Sequence, residues 1–515
     1  MNRHKMSNIA ENNRRIAKNT IYLYARMLVI MVVSLFTSRI VLNALGVVDY
    51  GIYNVVGGVV SMVGLLKGAM ASATTRYINF ELGRGDDEKL RKTFCVSVMI
   101  YAVICGVFLL IAETVGLWFV NAKLTIPAER MAAANWVYQF TVLSIIVEMM
   151  AQPYNSVIIA HEKMSFYSYV SILEVALKLL IAYALYLSLG DNLVVYGLLM
   201  LGSSVVVRII YGAYCKRHYA ECKFKVYRDK ALFKEMLSYS WWNLFGSVSA
   251  LVKGQGINIL LNVFFNPVVN AARGIATQVN SAISQLSSNF FTAVRPQITK
   301  YYAQEDLTNM FKLVFRSSKL SFYLNLLLGV PLIVEAPQII QLWLGQLPEH
   351  VVVFTRLIII ISLVDAMAHP LMTSIHSTGR VALYQSVVGI LNILNLPVSY
   401  VFLRLGHEPV SVFYVSLVIT TISLFVRLMI VKKYIPTFPV VKYIIEVFGG
   451  CLLVGAASAA LPVLIHIKFP STISVMLTVV ALSFVAEILA VYFIGLKRDE
   501  REFVGQLINK KIFRR

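Results

Sequence analysis

Residues 19–45 read NTIYLYARMLVIMVVSLFTSRIVLNAL. The run is long enough to cross a bilayer, whose hydrocarbon core of roughly 30 Å takes about 20 apolar residues in a helix. It also carries Arg26 and Arg39, with no acid to neutralise them. A charge at the centre of a membrane helix costs roughly 2.5–3.5 kcal/mol on insertion scales. This helix therefore needs a face that lipid does not touch. The preceding residues 1–18 are polar and basic and lack the small-residue cleavage site of a secretory signal. The run is expected to stay in the protein as its first membrane helix.

Composition extends that reading to the whole chain. Of 515 residues, 58% are hydrophobic and 14% charged, against near half and about a quarter in soluble domains. So much apolar surface must face lipid, which excludes a soluble enzyme, a secreted disulfide scaffold and a disordered chain. The net charge of +21 is spread along the chain rather than gathered on one polar domain. Membrane lipids, and no nucleic acid, are the expected surroundings. Cys95, Cys105, Cys215, Cys222 and Cys451 are scattered, with no CxxC and no Cys/His cluster at zinc spacing. They read as reduced thiols, and neither a metal nor another cofactor is expected.

Fourteen stretches are long and apolar enough to be read as spans: roughly 19–45, 51–80, 93–120, 133–160, 166–188, 193–215, 237–264, 268–299, 313–345, 351–377, 380–403, 409–431, 440–465 and 470–496. The stretches 51–80 and 268–299 are the most polar. The runs are continuous rather than alternating, which excludes a β-barrel. Orientation follows from the loop cations. Lys and Arg crowd the N-terminal tail, the loops near 84–92 and 216–234, and the C-terminal tail. The opposite set of loops holds only Lys123, Arg130, Arg404 and Lys468. Both termini are expected on the cytoplasmic side.

The second half of the chain echoes the first. Arg39-Ile-Val-Leu-Asn43 resembles Asn258-Ile-Leu-Leu-Asn262, and at the same shift of 219 residues Arg76 meets Arg295. Glu148-Met-Met-Ala-Gln-Pro153 resembles Asp365-Ala-Met-Ala-His-Pro370, and Leu117-Trp118 resembles Leu342-Trp343. The shift equals six spans, an even number, so both halves enter the membrane from the same side. The expected architecture is an all-α polytopic membrane protein of about 14 transmembrane helices. It divides into a tail (1–18), an N-lobe of six helices with a basic linker (19–236), a pseudo-symmetric C-lobe of six (237–433), and two extra helices with a basic tail (434–515). The cleft between lobes is the expected substrate site.

Cations inside the spans concentrate where the repeat begins. Spans one, two, seven and eight hold Arg26, Arg39, Lys67, Arg76, Lys253, Arg273 and Arg295 and contain no Asp or Glu. Arg76 and Arg295 lie near the cytoplasmic ends, and Arg39 and Arg273 toward the outer ends, where snorkelling competes with a functional role. Arg26, Lys67 and Lys253 are deeper and are expected to line water or await an anion. In span eight, Asn270, Arg273, Thr277, Ser281, Ser284, Ser288, Thr292 and Arg295 recur at intervals of three and four, on one helix face. Packing of small residues is the alternative use of such a stripe, but Gln285 and Asn289 beside it favour a wet surface. The membrane acids lie elsewhere. Glu148 and Asp365 are expected to pair with cations of their own lobe, and Glu174 with Lys178 one turn on.

These features resemble the multidrug/oligosaccharidyl-lipid/polysaccharide exporter superfamily, and within it the Wzx-type polysaccharide flippases. The resemblance is carried by Ser38-Arg39-Ile40-Val41-Leu42 through Gly46, Asp49-Tyr50-Gly51-Ile52-Tyr53, Asn270-Ala271-Ala272-Arg273-Gly274 and Leu342-Trp343-Leu344-Gly345, and it covers the chain's full length. It implies a non-enzymatic transporter in the bacterial inner membrane. Its substrate would be an undecaprenyl-diphosphate-linked oligosaccharide for O-antigen or capsule, moved by alternating access, with a polysaccharide polymerase as a partner. Arg26, Arg39, Lys67, Lys253, Arg273 and Arg295 would meet the diphosphate, and Ser281, Ser284 and Gln285 the sugar hydroxyls. A flippase for a peptidoglycan lipid precursor remains open on the same residues. A cation-coupled drug exporter would need an acid in the first or seventh span. A membrane polymerase would need a large outer loop or a carboxylate-rich site, and neither a Walker A loop nor an HExxH occurs.

Overall fold

The computed structural model describes residues 2–61, 64–122, 126–188, 190–265, 267–345, 347–470, 472–497 and 501. Among them no strand forms, and twelve helices are long and apolar enough to cross a membrane. Large apolar side chains such as Leu110, Leu198, Ile390 and Met429 point outward, which only a lipid surrounding accommodates at this density. The protein is a multi-pass membrane protein. The described residues of the two most polar stretches, 51–80 and 268–299, are also helical and lie outside the twelve.

The chain forms two units, Met1–Ser247 with Tyr302–Glu305, and Val248–Tyr301 with Asp306–Arg515. The first is built from α1 (Asn2–Ser61), α2 (Gly64–Arg84), α3 (Asp87–Ile111), α4 (Leu117–Ala122), α5 (Met131–Ala160), α6 (Met164–Ala184), α7 (Asn192–His218) and the start of α8 (Lys230–Phe264). Helix α1 breaks at Gly46, whose φ of 77° and ψ of 167° only glycine adopts readily. Asp49, expected in a connecting loop, lies in the helical stretch just past this break. It binds Arg130 at 2.5 Å, and the same guanidinium holds Asp191 at 2.6 Å. Asp191 also caps α7 by accepting from Leu193 N and Val194 N. Asp86 caps α3 in the same way, accepting from Lys89 N.

The second unit contains the rest of α8, most of α9 (Pro267–Ala303), α10 (Leu307–Val334), α11 (Ala336–Leu344), α12 (Val351–Ser377), α13 (Ala382–Arg404) and α14 (Ser411–Tyr434). The repeat reappears in the packing. In the first unit α5 packs on α7 and α3, and α6 on α7; in the second α12 packs on α14 and α10, and α13 on α14. Pro153 and Pro370 sit at equivalent points inside α5 and α12.

The chain ends in α15 (Val440–Tyr443), α16 (Gly450–Lys468) and α17 (Ile473–Ala490). This pair is fastened to the second unit by polar bonds. The Tyr443 hydroxyl donates to Met367 O at 2.8 Å, Lys319 Nζ donates to Gly495 O at 2.9 Å, and His466 Nδ1 meets Glu335 Oε1 at 2.9 Å.

Candidate functional site

Inside the first unit, α1, α2, α5, α6 and α7 enclose a cavity of about 360 Å³. Two of the sequence-predicted residues, Arg26 and Lys67, meet in its wall. The guanidinium of Arg26 lies over the ring of Tyr167, 4.6 Å from its centre. Its Nε is buried with no hydrogen-bond partner, so the cation–π contact supplies attraction but leaves a donor unused. Lys67 departs from expectation. Its Nζ sits 2.7 Å from Glu148 Oε2, so it is already neutralised by a neighbouring helix. The absence of acids within its own span said nothing about an acid 81 positions away. Both partners are partly exposed, at 33% and 43%, and both line the cavity.

Glu174 and Lys178 form the pair their spacing predicts, at 2.6 Å, in the same cavity wall. The lining thus holds three cations, Arg26, Lys67 and Lys178, and two carboxylates, Glu148 and Glu174. One positive charge remains in excess. Gln152, Asn155, Ser171 and Ser204 complete a polar wall, and Asn155 Oδ1 is buried without a partner. Tyr167, Gln152 and Asn155 were not singled out in the sequence. The one signal for them was the repeat, since Tyr167 falls 217 residues before Tyr384.

The second unit repeats the theme with different pairs. Asp365 accepts from Arg427 Nη1 at 3.0 Å, as expected for an acid pairing within its own lobe. Tyr384 lies beside Arg427, and Lys253 and His369 lie within electrostatic reach of Asp365. Lys253 is half-buried in α8. Arg273 is engaged by neutral groups: its Nη1 donates to Asn258 Oδ1 and its Nη2 to Gly254 O, the latter at 2.9 Å. Its hydrogen bonds tie α9 to α8, but no carboxylate cancels its charge in those two bonds. Arg39 is exposed on α1, and Arg295 is half-buried near the end of α9. The structure brings Arg26 and Lys67 into one cavity wall, and in the second unit Arg273 reaches the carbonyl of Gly254, next to Lys253.

Helix α9 has the two faces the spacing predicts. Ala272, Ala276, Ile283, Val294 and Ile298 are buried, whereas Thr277, Ser281, Gln285 and Ser288 are exposed and Ser284 half-buried. The hydroxyls of Thr277, Ser281 and Thr292 each donate to the carbonyl four residues back, at 2.8–2.9 Å. Their protons are satisfied within the helix, and their oxygens keep free lone pairs.

The fold is that of a known transporter class. A multidrug-resistance MATE family transporter of the MOP superfamily, in an outward-facing conformation, superposes with a TM-score of 0.71 at 12% identity, over 83% of this chain and 97% of that one. A MOP superfamily transporter from Pyrococcus furiosus gives 0.64 at 14% identity, over 82% and 96%; the reversed polarity of that protein's binding pocket is said to suggest a different function. A MATE protein in complex with MaD3S gives 0.69 at 13% identity, over 83% and 97%. No curated protein matches the sequence. Residues 16–302 match the polysaccharide biosynthesis protein family, and the chain belongs to that family. The fold is one that transporters share.

Proposed function

We propose that this protein is a flippase of the Wzx type. It carries undecaprenyl-diphosphate-linked oligosaccharides across a bacterial inner membrane by alternating access, with both termini cytoplasmic and a polysaccharide polymerase as a partner. The observation that supports the reading is an excess of positive charge: three cations against two carboxylates in the wall of the first unit's cavity, and cations in spans that hold no acid of their own. Arg26, Arg39 and Arg273 stand in such spans, and the two hydrogen-bond partners of Arg273 are neutral. A diphosphate is the anionic group that such side chains bind with charge-assisted hydrogen bonds. The exposed Ser281 and Gln285, with Ser284, supply hydrogen-bonding groups for sugar hydroxyls. A prenyl tail needs no protein site, because lipid already solvates it.

The test is to delete the gene and characterise the lipid-linked sugars by mass spectrometry. Intact repeat units accumulating on the cytoplasmic face support transport. Truncated glycans would identify a transferase instead, and accumulated peptidoglycan precursor would shift the substrate to that lipid.

A further inference from the structure

A second cavity, of about 380 Å³, lies in the second unit between α13 and α14. Its wall is Leu383 and Val387 on α13, and Ile422, Val426 and Met429 on α14, closed at one end by Lys433. The spacing from 422 through 426 and 429 to 433 follows one face of α14. Ile422 and Met429 are among the exposed large apolar side chains, so the groove opens outward. Arg427 and Asp365 occupy another face and take no part in it.

Two features say what fits. The first is length. From Ile422 to Lys433 the helix rises about 16 Å at 1.5 Å per residue, which is about half of a 30 Å hydrocarbon core. The groove is one leaflet deep. The second is charge. The walls are apolar along their whole length, and the single cation, Lys433, is exposed at the end. The neighbouring Lys432 is engaged, its Nζ donating to Pro436 O at 2.5 Å. At the far end of the helix pair, Asn395 Nδ2 donates to Ser416 Oγ at 3.0 Å. These helices are pinned together away from the groove and leave it room at the charged end. On one side, Phe425 meets Phe448 edge to face, with ring centres 5.6 Å apart.

We propose that this groove is a binding site for an anionic phospholipid, one acyl chain lying along α14 and the phosphate resting on Lys433. The ligand belongs to the leaflet in which Lys433 lies and is distinct from the transported substrate. The site stands whether or not the protein carries glycans.

Native mass spectrometry of the full-length protein, equilibrated in detergent with phosphatidylglycerol or phosphatidylcholine, tests it. The wild type should retain phosphatidylglycerol about fivefold better, the equivalent of ~1 kcal/mol for one cation near an anionic headgroup. Lys433→Gln should abolish that preference and Lys433→Arg should keep it. Val426→Trp, which fills the groove, should lower retention of both lipids. Equal retention of the two lipids by the wild type, or a preference unchanged in Lys433→Gln, would overturn the proposal. So would undecaprenyl phosphate displacing phosphatidylglycerol from the wild type but not from Lys433→Gln.

Discussion

Arg26 and Lys67 show how two cations in one cavity come to differ. Arg26 is held by the face of Tyr167 and keeps a buried Nε without a partner, so it is the better placed to receive an anion. Lys67 must first leave Glu148. Arg26→Ala and Lys253→Ala are each expected to lower glycan export at least tenfold while the protein reaches its normal level in the membrane. Wild-type export in both would remove the functional reading. Lys67→Ala should act differently, because it removes the 2.7 Å partner of Glu148 and leaves two carboxylates against two cations in the cavity wall. For a pair about a third exposed, the loss is about 1 kcal/mol. Adding Glu148→Gln should return much of it, as a thermal melt of the two variants would show. At Asp191, the hydrogen bond from Arg130 holds the carboxyl below the ordinary aspartate range. Its stabilising contribution is therefore complete above the unfolded value of about 3.9 and is lost as pH falls through the lower folded value. Melts across that window should lose stability on acidification in the wild type and lose less in Arg130→Gln.

Single elements were legible where their signal is local. The amphipathic stripe of α9, the Glu174–Lys178 turn and the polar character of 51–80 and 268–299 all follow from spacing or composition. Pairings set by topology were not. Glu148 reaches Lys67 across 81 positions, and Arg273 reaches back over a helix hairpin to Gly254 and Asn258. Neither has a signature in its own stretch, although the Glu148–Asp365 equivalence marked both acids as partners for something in their own lobe. The break in α1 was visible only as a lone glycine. Its φ and ψ fall where a side chain costs roughly 1–3 kcal/mol, and no atom stands within 4 Å of an added Cβ. Gly46→Ala should therefore destabilise the protein by about that amount through backbone strain alone, and Gly46→Asn by as much, since this region is not the left-handed helical one that Asn tolerates. Equal melting temperatures for wild type and Gly46→Ala would contradict the assigned geometry.

At the scale of the molecule, the sequence conveyed the duplicated design, and the packing of each unit repeats it. What composition could not convey is how firmly the last helices belong to the second unit. Tyr443, Lys319, Glu335 and His466 bind them through groups that are mostly buried. Removing residues 440–515 should strip these partners from α10 and α12. In detergent, limited trypsin digestion is expected to cut the second unit quickly and to leave the first as resistant as before. Equal resistance of both units would mean that the pair is an independent appendage. The hydroxyl protons of α9 have a further consequence. Because Thr277, Ser281 and Thr292 donate theirs to their own backbone, those three oxygens are left to accept, while the exposed Gln285 on the same helix still carries an amide donor. Under the proposed function, such a face accepts a hydrogen bond from a sugar hydroxyl at Thr277 or Ser281 and donates one at Gln285.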